Sequence, residues 1–190
     1  MRANTMVSYR PTLLFTLKRT LRRVSIACLM LSMMWGLLGC TRKGLDGNWV
    51  YHKGPLEYKI GQVNRDWRKV KFTQNDIAFY NSQYKAIVQI NATCRKDYED
   101  TTLKNLTDHL IYGFRDRKFI IQEKRKIDRR DALYTELKAT LDGVSVQAAL
   151  LVIKKNECIF DFAYITRPWN FKRGINTFHR VIYGFQVFRS

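Results

Sequence analysis

One cysteine, Cys40, stands in a sequence context that predicts a definite chemistry. It directly follows an apolar run over residues 24–38 and Gly39, and the segment before that run, residues 1–23, is basic and without acidic side chains. A helix needs about 20 apolar residues to cross a bilayer, so this run is too short for a permanent membrane anchor and suits the core of a signal peptide. We therefore predict an export signal over residues 1–39.

The sequence Leu37-Leu38-Gly39-Cys40 resembles the lipobox of bacterial membrane lipoproteins. The resemblance implies that a signal peptidase cuts between Gly39 and Cys40, since a small residue beside the cut lets the backbone enter the enzyme. It also implies a diacylglycerol thioether on the Cys40 thiol and an acyl chain such as palmitate on the new amino group. Several acyl chains on one residue exceed what stable membrane attachment needs. An uncleaved signal anchor, or an ordinary secretory signal with a chance cysteine, is the alternative.

Two other cysteines, Cys94 and Cys158, belong to the exported part of the chain, because Cys28 leaves with the signal peptide. Both lie on apolar faces of predicted strands. Export into an oxidising compartment favours a disulfide, and two buried thiols fit the sequence equally well. There is no Cys-x-x-Cys spacing, and we expect neither a metal site nor a cofactor.

The histidines and aspartates form no recognised catalytic motif. His52 lies in a predicted tether, His109 and His179 on two different predicted helices, and Asp161 alternates with apolar residues in a strand. The chain has no His-Glu-x-x-His, no Gly-x-Ser-x-Gly and no Gly-rich phosphate loop. We predict that the protein is not an enzyme. The alternative, an envelope hydrolase, requires Asp161 to meet His109 or His179 in one cleft.

Charge restricts the class of partner. The chain has 190 residues, with 34 basic and 16 acidic side chains, and six of the basic ones lie in residues 1–39. The remaining 28 basic and 16 acidic side chains give the exported part a net charge of +12. Such a charge favours anionic partners. Because export removes the domain from cytoplasmic nucleic acid, we expect an envelope protein or an anionic envelope component instead.

The sequence divides into three segments: a signal peptide over 1–39, a lipidated tether over 40–55, and a single α+β domain over 56–190. The tether assignment rests on its glycines and proline, and a short first strand at Trp49–Tyr51 is an alternative within it. Period-two patterns predict strands at 69–72, 77–79 and 84–94. Helical spacing predicts a helix from Asp100 as N-cap to Gly113 and a closing helix from Asn170 to Gly184, followed by a short tail.

Residues 131–165 predict an antiparallel meander. The two-residue turn Asp142-Gly143 sets a hairpin register that pairs Leu141 with Val144, Ala139 with Val146, and Leu137 with Ala148. A three-residue loop over 154–156, with Asn156 at positive φ, then places the next apolar set on the same face of the sheet; that set is Cys158, Phe160, Phe162 and Tyr164. Residues 115–130 predict an exposed edge strand with basic flanks, and a headgroup-binding patch is the functional alternative there.

The order of elements over residues 56–188 resembles the PsbP-like family, which includes bacterial DcrB-type lipoproteins. The elements that carry the resemblance are the Leu-rich helix, the Asp-Gly hairpin, the strand with Cys-Ile-Phe-Asp-Phe, and the closing helix with Val-Ile-Tyr-Gly-Phe. The resemblance implies an α/β/α sandwich, an antiparallel sheet between helices, and a non-catalytic binding or assembly role.

These observations predict a lipid-anchored accessory or binding module of the bacterial cell envelope, facing the periplasm. Thr41 follows Cys40 where many lipoproteins of the inner membrane have Asp, which favours the outer membrane in a cell with two membranes. A carrier of a small apolar or lipid ligand, held between the sheet and the closing helix, is the second hypothesis.

Overall fold

Alternating apolar residues build a seven-stranded antiparallel sheet at the centre of the domain. In chain order its strands are β4 (Arg68–Val70), β5 (Ile77–Asn81), β6 (Ala86–Cys94), β7 (Arg115–Ile127), β8 (Arg130–Leu141), β9 (Val144–Lys155) and β10 (Cys158–Thr166). Their order across the sheet is β4-β5-β6-β10-β9-β8-β7. The structure, a computed structural model, describes residues 43–72, 75–94 and 101–189. They belong to a compact unit, Arg42–Ser190.

Two helices cover opposite faces of this sheet. On one face, α1 (Leu103–Leu110) places Leu106 against Val152 and Ile159. On the other face, α2 (Phe171–Tyr183) packs Phe178 in one cluster with Leu151 and Phe160. These two residues precede Val152 and follow Ile159 in their strands, so their side chains point to the opposite face of the sheet. A short 3₁₀ turn, Pro168–Asn170, precedes α2. The predicted α+β class, with an antiparallel meander flanked by helices, is confirmed.

A second sheet lies on the side of α2 and was not predicted. Its strands, in the order β1-β2-β3-β11, are β1 (Lys43–Leu45), β2 (Val50–Lys53), β3 (Leu56–Lys59) and β11 (Gln186–Arg189). The structure therefore differs from the expected tether over 40–55, because Lys43–Leu45 and Val50–Lys53 are strands of this sheet. Tyr51 is only 2% exposed and packs on Tyr58, with ring centroids 5.3 Å apart. Gly44 and Gly54 have positive φ, so these glycines serve strand and turn geometry.

The β8–β9 hairpin has the predicted register, including the pairs Leu141–Val144 and Leu137–Ala148. The loop after β9 differs from the prediction. It is a two-residue turn, Asn156-Glu157, in which both residues have positive φ, and it pairs Lys155 with Cys158.

The shorter turn moves the aromatic residues of β10 to the other face of the sheet. Phe160 pairs with Ile153, and Phe162 with Leu151, on the face opposite to Ala148. The predicted common face was wrong because β9 is buried along eight consecutive residues. A strand buried on both faces has apolar residues at even and odd positions, so alternation cannot select the partner face.

The ends of the helices follow their capping residues. The predicted N-cap Asp100 lies outside the described residues; at the start of α1 the hydroxyl of Thr102 accepts a hydrogen bond from the Asn105 amide at 3.1 Å. Asn170 precedes α2, as predicted, although its side chain donates to the carbonyl of Tyr84 at 2.9 Å. Gly184 ends the helix next to Gly61, where a Cβ on Gly61 would lie 1.9 Å from the Arg180 carbonyl oxygen.

Candidate functional site

The predicted attachment site, Gly39 and Cys40, lies outside the described residues. Within them, no helix has the length and apolar character needed to span a membrane.

Cys94 and Cys158 form a disulfide in the structure, with an S–S distance of 2.01 Å. The two residues are direct cross-strand neighbours at the end of β6 and the start of β10. Cys158 is buried and Cys94 is exposed. Of the two alternatives left by the sequence, the structure has the bonded one, which ties the middle of the sheet together.

Asp161 and His109 line one cleft between α1 and the sheet. The cleft has a volume of about 330 Å³ and is open to solvent; its other lining residues are Thr93, Thr101, Leu106, Leu110 and Ile159. α1 contributes His109 and the two leucines, and β10 contributes Asp161 and Ile159. The strand pairing places Asp161 between Asn91 of β6 and Val152 of β9, so its side chain points toward α1 and away from the aromatic core.

The carboxylate of Asp161 is partly buried and has no hydrogen bond or ion pair with any described residue. Burial raises its pKa from 3.8 to about 6, because the charged form loses hydration without gaining a counter-charge. His109 lies on the exposed side of the cleft and, within the described part of the chain, makes no hydrogen bond to Asp161. The hydrolase alternative required Asp161 to meet His109 or His179 in one cleft. Asp161 and His109 do share this cleft, but the two side chains form no acid–base pair.

The other partly buried aspartates are fully engaged. Asp76 accepts hydrogen bonds from Lys53 and from the Ala92 amide, each at 2.9 Å. Asp128 forms an ion pair with Lys155 and accepts from the Val187 amide, which fixes β11. These contacts are structural. Asp161 is therefore distinguished from them by its missing partner.

The remaining histidines lie elsewhere. His179, on α2, has its Nε2 3.5 Å from the Tyr134 hydroxyl, and burial together with the nearby Arg125 lowers its pKa. His52 lies between Asp46 and Glu57, at 3.4 Å from each carboxylate. No group of three His, Cys, Asp or Glu side chains with metal-binding geometry occurs among the described residues.

The space between the sheet and α2, where the carrier hypothesis placed a ligand, is filled by aromatic side chains. Phe162, Tyr164 and Phe178 are all fully buried there. Gly174 allows α2 to approach the sheet so closely that a Cβ at that position would lie 2.6 Å from the Tyr164 hydroxyl oxygen. A carrier function would have to use another part of the domain.

The outer strand β7 presents a basic surface, here called the basic edge and defined as Arg115, Arg117, Lys118, Phe119, Ile120 and Lys138. The predicted edge position of β7 is confirmed. Lys118 lies directly opposite Lys138 of β8, and neither lysine forms an ion pair with a described residue. Phe119 and Ile120 are 47% and 46% exposed beside them. A register shift between Phe119 and Ile121 interrupts the strand pairing at this point.

Comparisons with known proteins identify the architecture. No protein-family model and no curated protein matches the chain. Solved structures do match. The solution structure of cyanobacterial PsbP (CyanoP) from Synechocystis sp. PCC 6803 covers 80% of this chain and 99% of its own, with 15% identity and a TM-score of 0.53. The domain has a PsbP-like fold.

Two further structures share this PsbP-like fold. LpqN, involved in cell envelope biogenesis of Mycobacterium tuberculosis, has 7% identity and a TM-score of 0.55, covering 72% of this chain and 87% of its own. A protein from Bacteroides thetaiotaomicron has 13% identity and a TM-score of 0.51, covering 72% of this chain and 46% of its own. At these identities the likeness concerns the fold alone.

Sequence reasoning named a cleft shared by Asp161 and His109 only as the requirement of the hydrolase alternative, and it did not predict that the two residues meet. The alternation of Asp161 with Phe160 and Phe162 indicated that it points away from the core. Its distance from α1 depended on where the helix crosses the sheet, and local spacing carries no information on that. The Lys118–Lys138 pair was missed for a related reason, because the pairing of β7 includes two register shifts.

Proposed function

We propose that this protein is a non-enzymatic accessory module of the bacterial envelope, lipid-anchored through Cys40 and facing the periplasm, that binds anionic lipid headgroups with its basic edge. The observation that carries the proposal is the unpaired juxtaposition of Lys118 and Lys138. Like charges directly opposite each other in a sheet are destabilising, and an anion placed between them removes that repulsion.

The composition of the basic edge fits a membrane surface. Each Lys or Arg near an anionic surface contributes about 1 kcal/mol of binding free energy, and Arg115, Arg117, Lys118 and Lys138 are together on this edge. The neighbouring Phe119 and Ile120 are apolar groups that enter the interfacial region favourably. The net charge of +12 on the exported chain supports the same class of partner.

An acyl anchor at Cys40 would hold the domain close to the surface that the basic edge binds. Attachment at one point lets the remaining contact form at high effective concentration. LpqN, which has the same fold, is described as involved in cell envelope biogenesis, and this supports a role at the envelope for the present chain. Thr41 in place of Asp favours the outer membrane.

Vesicle sedimentation tests the proposal with the domain that starts at Thr41, so that acyl chains do not bring about binding by themselves. We expect binding to phosphatidylcholine vesicles that contain phosphatidylglycerol, little binding to phosphatidylcholine alone, and a decrease with added salt. The double variant Lys118→Glu/Lys138→Glu should bind at least about tenfold more weakly.

A matched control is Lys172→Glu/Arg173→Glu, which changes the net charge equally at two exposed residues of α2. It should bind nearly as well as the unmodified domain. Equal weakening by both double variants would mean that total charge, rather than the basic edge, determines binding, and the proposal would then be wrong.

A further inference from the structure

The cleft beneath α1 has the form of a small-molecule site. Its volume of about 330 Å³ lies at the lower end of the range for ligand pockets, about 300–1,000 Å³. Leu106, Leu110 and Ile159 give the cleft its apolar lining. Its polar lining residues, which would orient a ligand, are Thr93, Thr101, His109 and Asp161.

Among the described residues, no basic side chain compensates the charge of Asp161 in this cleft. Lys154 of β9, the nearest basic residue across the strand from Ile159, donates a hydrogen bond to the Thr101 carbonyl oxygen at 3.0 Å. On α1, Lys104 is paired with Asp108 at 2.7 Å. Strand β6 contributes one lining residue to the cleft, the neutral Thr93. The shift of the Asp161 pKa has burial as its one cause, so no cation in the described structure offsets the carboxylate.

The unpaired carboxylate of Asp161 limits the class of ligand that the cleft can bind. An anionic ligand would be repelled by Asp161, and a neutral one would leave the carboxylate unsatisfied. A primary ammonium group supplies the missing positive charge and three N–H donors, which the carboxylate and the threonine hydroxyls can accept. The apolar wall accommodates a short hydrocarbon substituent on the same molecule.

We propose that the cleft between α1 and β10 binds a small protonated amine with an apolar substituent, and that Asp161 is its counter-ion. This site is separate from the basic edge and goes beyond the lipid binding proposed above. Asp161 is a binding residue here, with no reaction involved. Because Asp161 must be ionised, the affinity decreases as the pH falls through about 6.

Titration with n-hexylamine tests the site, with amide chemical shifts as the readout on the domain that starts at Thr41. We expect saturable shifts at Leu106, Ile159 and Asp161. Asp161→Asn should weaken binding at least about tenfold, since it removes a charge-assisted hydrogen bond. Asp142→Asn, in the exposed β8–β9 turn, is the matched control and should leave the affinity unchanged. Asp161→Asn removes a buried charge, so the variant should fold.

An uncharged probe and an anionic probe test whether the cleft is selective for an amine. Hexan-1-ol and hexanoate have the same chain length, and both should bind at least about tenfold more weakly than hexylamine. Equal affinity of Asp161→Asn, equal affinity for hexanol, or shifts outside the cleft would each overturn the proposal. Vesicle binding by Asp161→Asn should equal that of the unmodified domain, so the two proposals can fail separately.

Discussion

At the scale of single residues, the partly buried aspartates differ in whether their carboxylates have hydrogen-bond and ion-pair partners. Asp76 and Asp128 are satisfied by lysines and backbone amides, and each ties distant segments together. Asp161 lies on the opposite face of the large sheet, toward α1, and has no such partner among the described residues. A folded protein tolerates an uncompensated buried charge only at a cost in stability, so Asp161 lowers the stability of the domain at neutral pH.

The stability of the domain should therefore depend on the ionisation of Asp161. Its folded-state pKa of about 6 lies above the unfolded value of 3.8, so the folded state retains this proton between these two values. The contribution of Asp161 to the free energy of unfolding falls as the pH rises from about 4 to above 6. Asp161→Asn should raise that free energy at pH 7.5 by about 2 kcal/mol or less, and the gain should vanish near pH 3.5.

Urea unfolding of both proteins across this pH range measures the difference directly. The control Asp142→Asn changes an exposed carboxylate and should show no gain over the same range. An Asp161→Asn variant that is less stable than the unmodified domain at pH 7.5 would indicate that the carboxylate has a stabilising partner.

At the scale of elements, the length of the turn between β9 and β10 decides which face of the large sheet carries the aromatic residues of β10. The sequence specified the β8–β9 register, because Asp142-Gly143 is a characteristic two-residue turn and β8 alternates. The next turn, Asn156-Glu157, requires positive φ at a glutamate, which sequence alone rarely indicates. A difference of one residue in that loop reverses the face of every side chain in β10.

The second sheet was beyond sequence reasoning for a different reason. β1, β2 and β11 have three or four residues each, too few for a period-two pattern to be distinguished from a glycine-rich linker. The contacts that stabilise this sheet are long-range: Tyr58 of β3 contacts Phe160 and Phe185, which lie more than a hundred residues further along the chain. The long strands β8 and β9 and the amphipathic helices, by contrast, carry enough residues to be recognised.

The Cys94–Cys158 bond joins two neighbouring central strands and closes a loop with a sequence separation of 64 residues. Cross-linking a loop of this length restricts the unfolded chain, and the expected contribution to the free energy of unfolding is about 2–4 kcal/mol. We expect the domain that starts at Thr41 to unfold at a lower urea concentration after reduction.

The double variant Cys94→Ala/Cys158→Ala separates loss of the bond from other effects of the reductant. It should unfold at nearly the midpoint of the reduced domain and show no further change with reductant. A midpoint of the unmodified domain that stays constant on reduction would contradict a stabilising disulfide.

At the scale of the whole molecule, the two proposed sites lie on different parts of the domain. The basic edge lies at one border of the large sheet, at β7, while the cleft lies under α1 toward β6 and β10. A domain held on a membrane through its basic edge would thus leave the cleft accessible. This arrangement suits an accessory protein that is retained at a surface and senses or presents a small molecule there.

The anchor provides the last prediction, because the proposed position of the domain depends on it. Replacing Cys40 by Ala removes the thiol that would form the thioether, and Cys40→Ala should abolish incorporation of a radiolabelled fatty acid in bacterial cells. It should also shift the protein from the membrane fraction toward the soluble fraction or leave an uncleaved precursor. The control Cys28→Ala changes a cysteine inside the apolar run and should retain the label and the membrane fraction. If Cys40→Ala still incorporates the label, acylation occurs at another residue, and the attachment of this domain must be sought elsewhere in the chain.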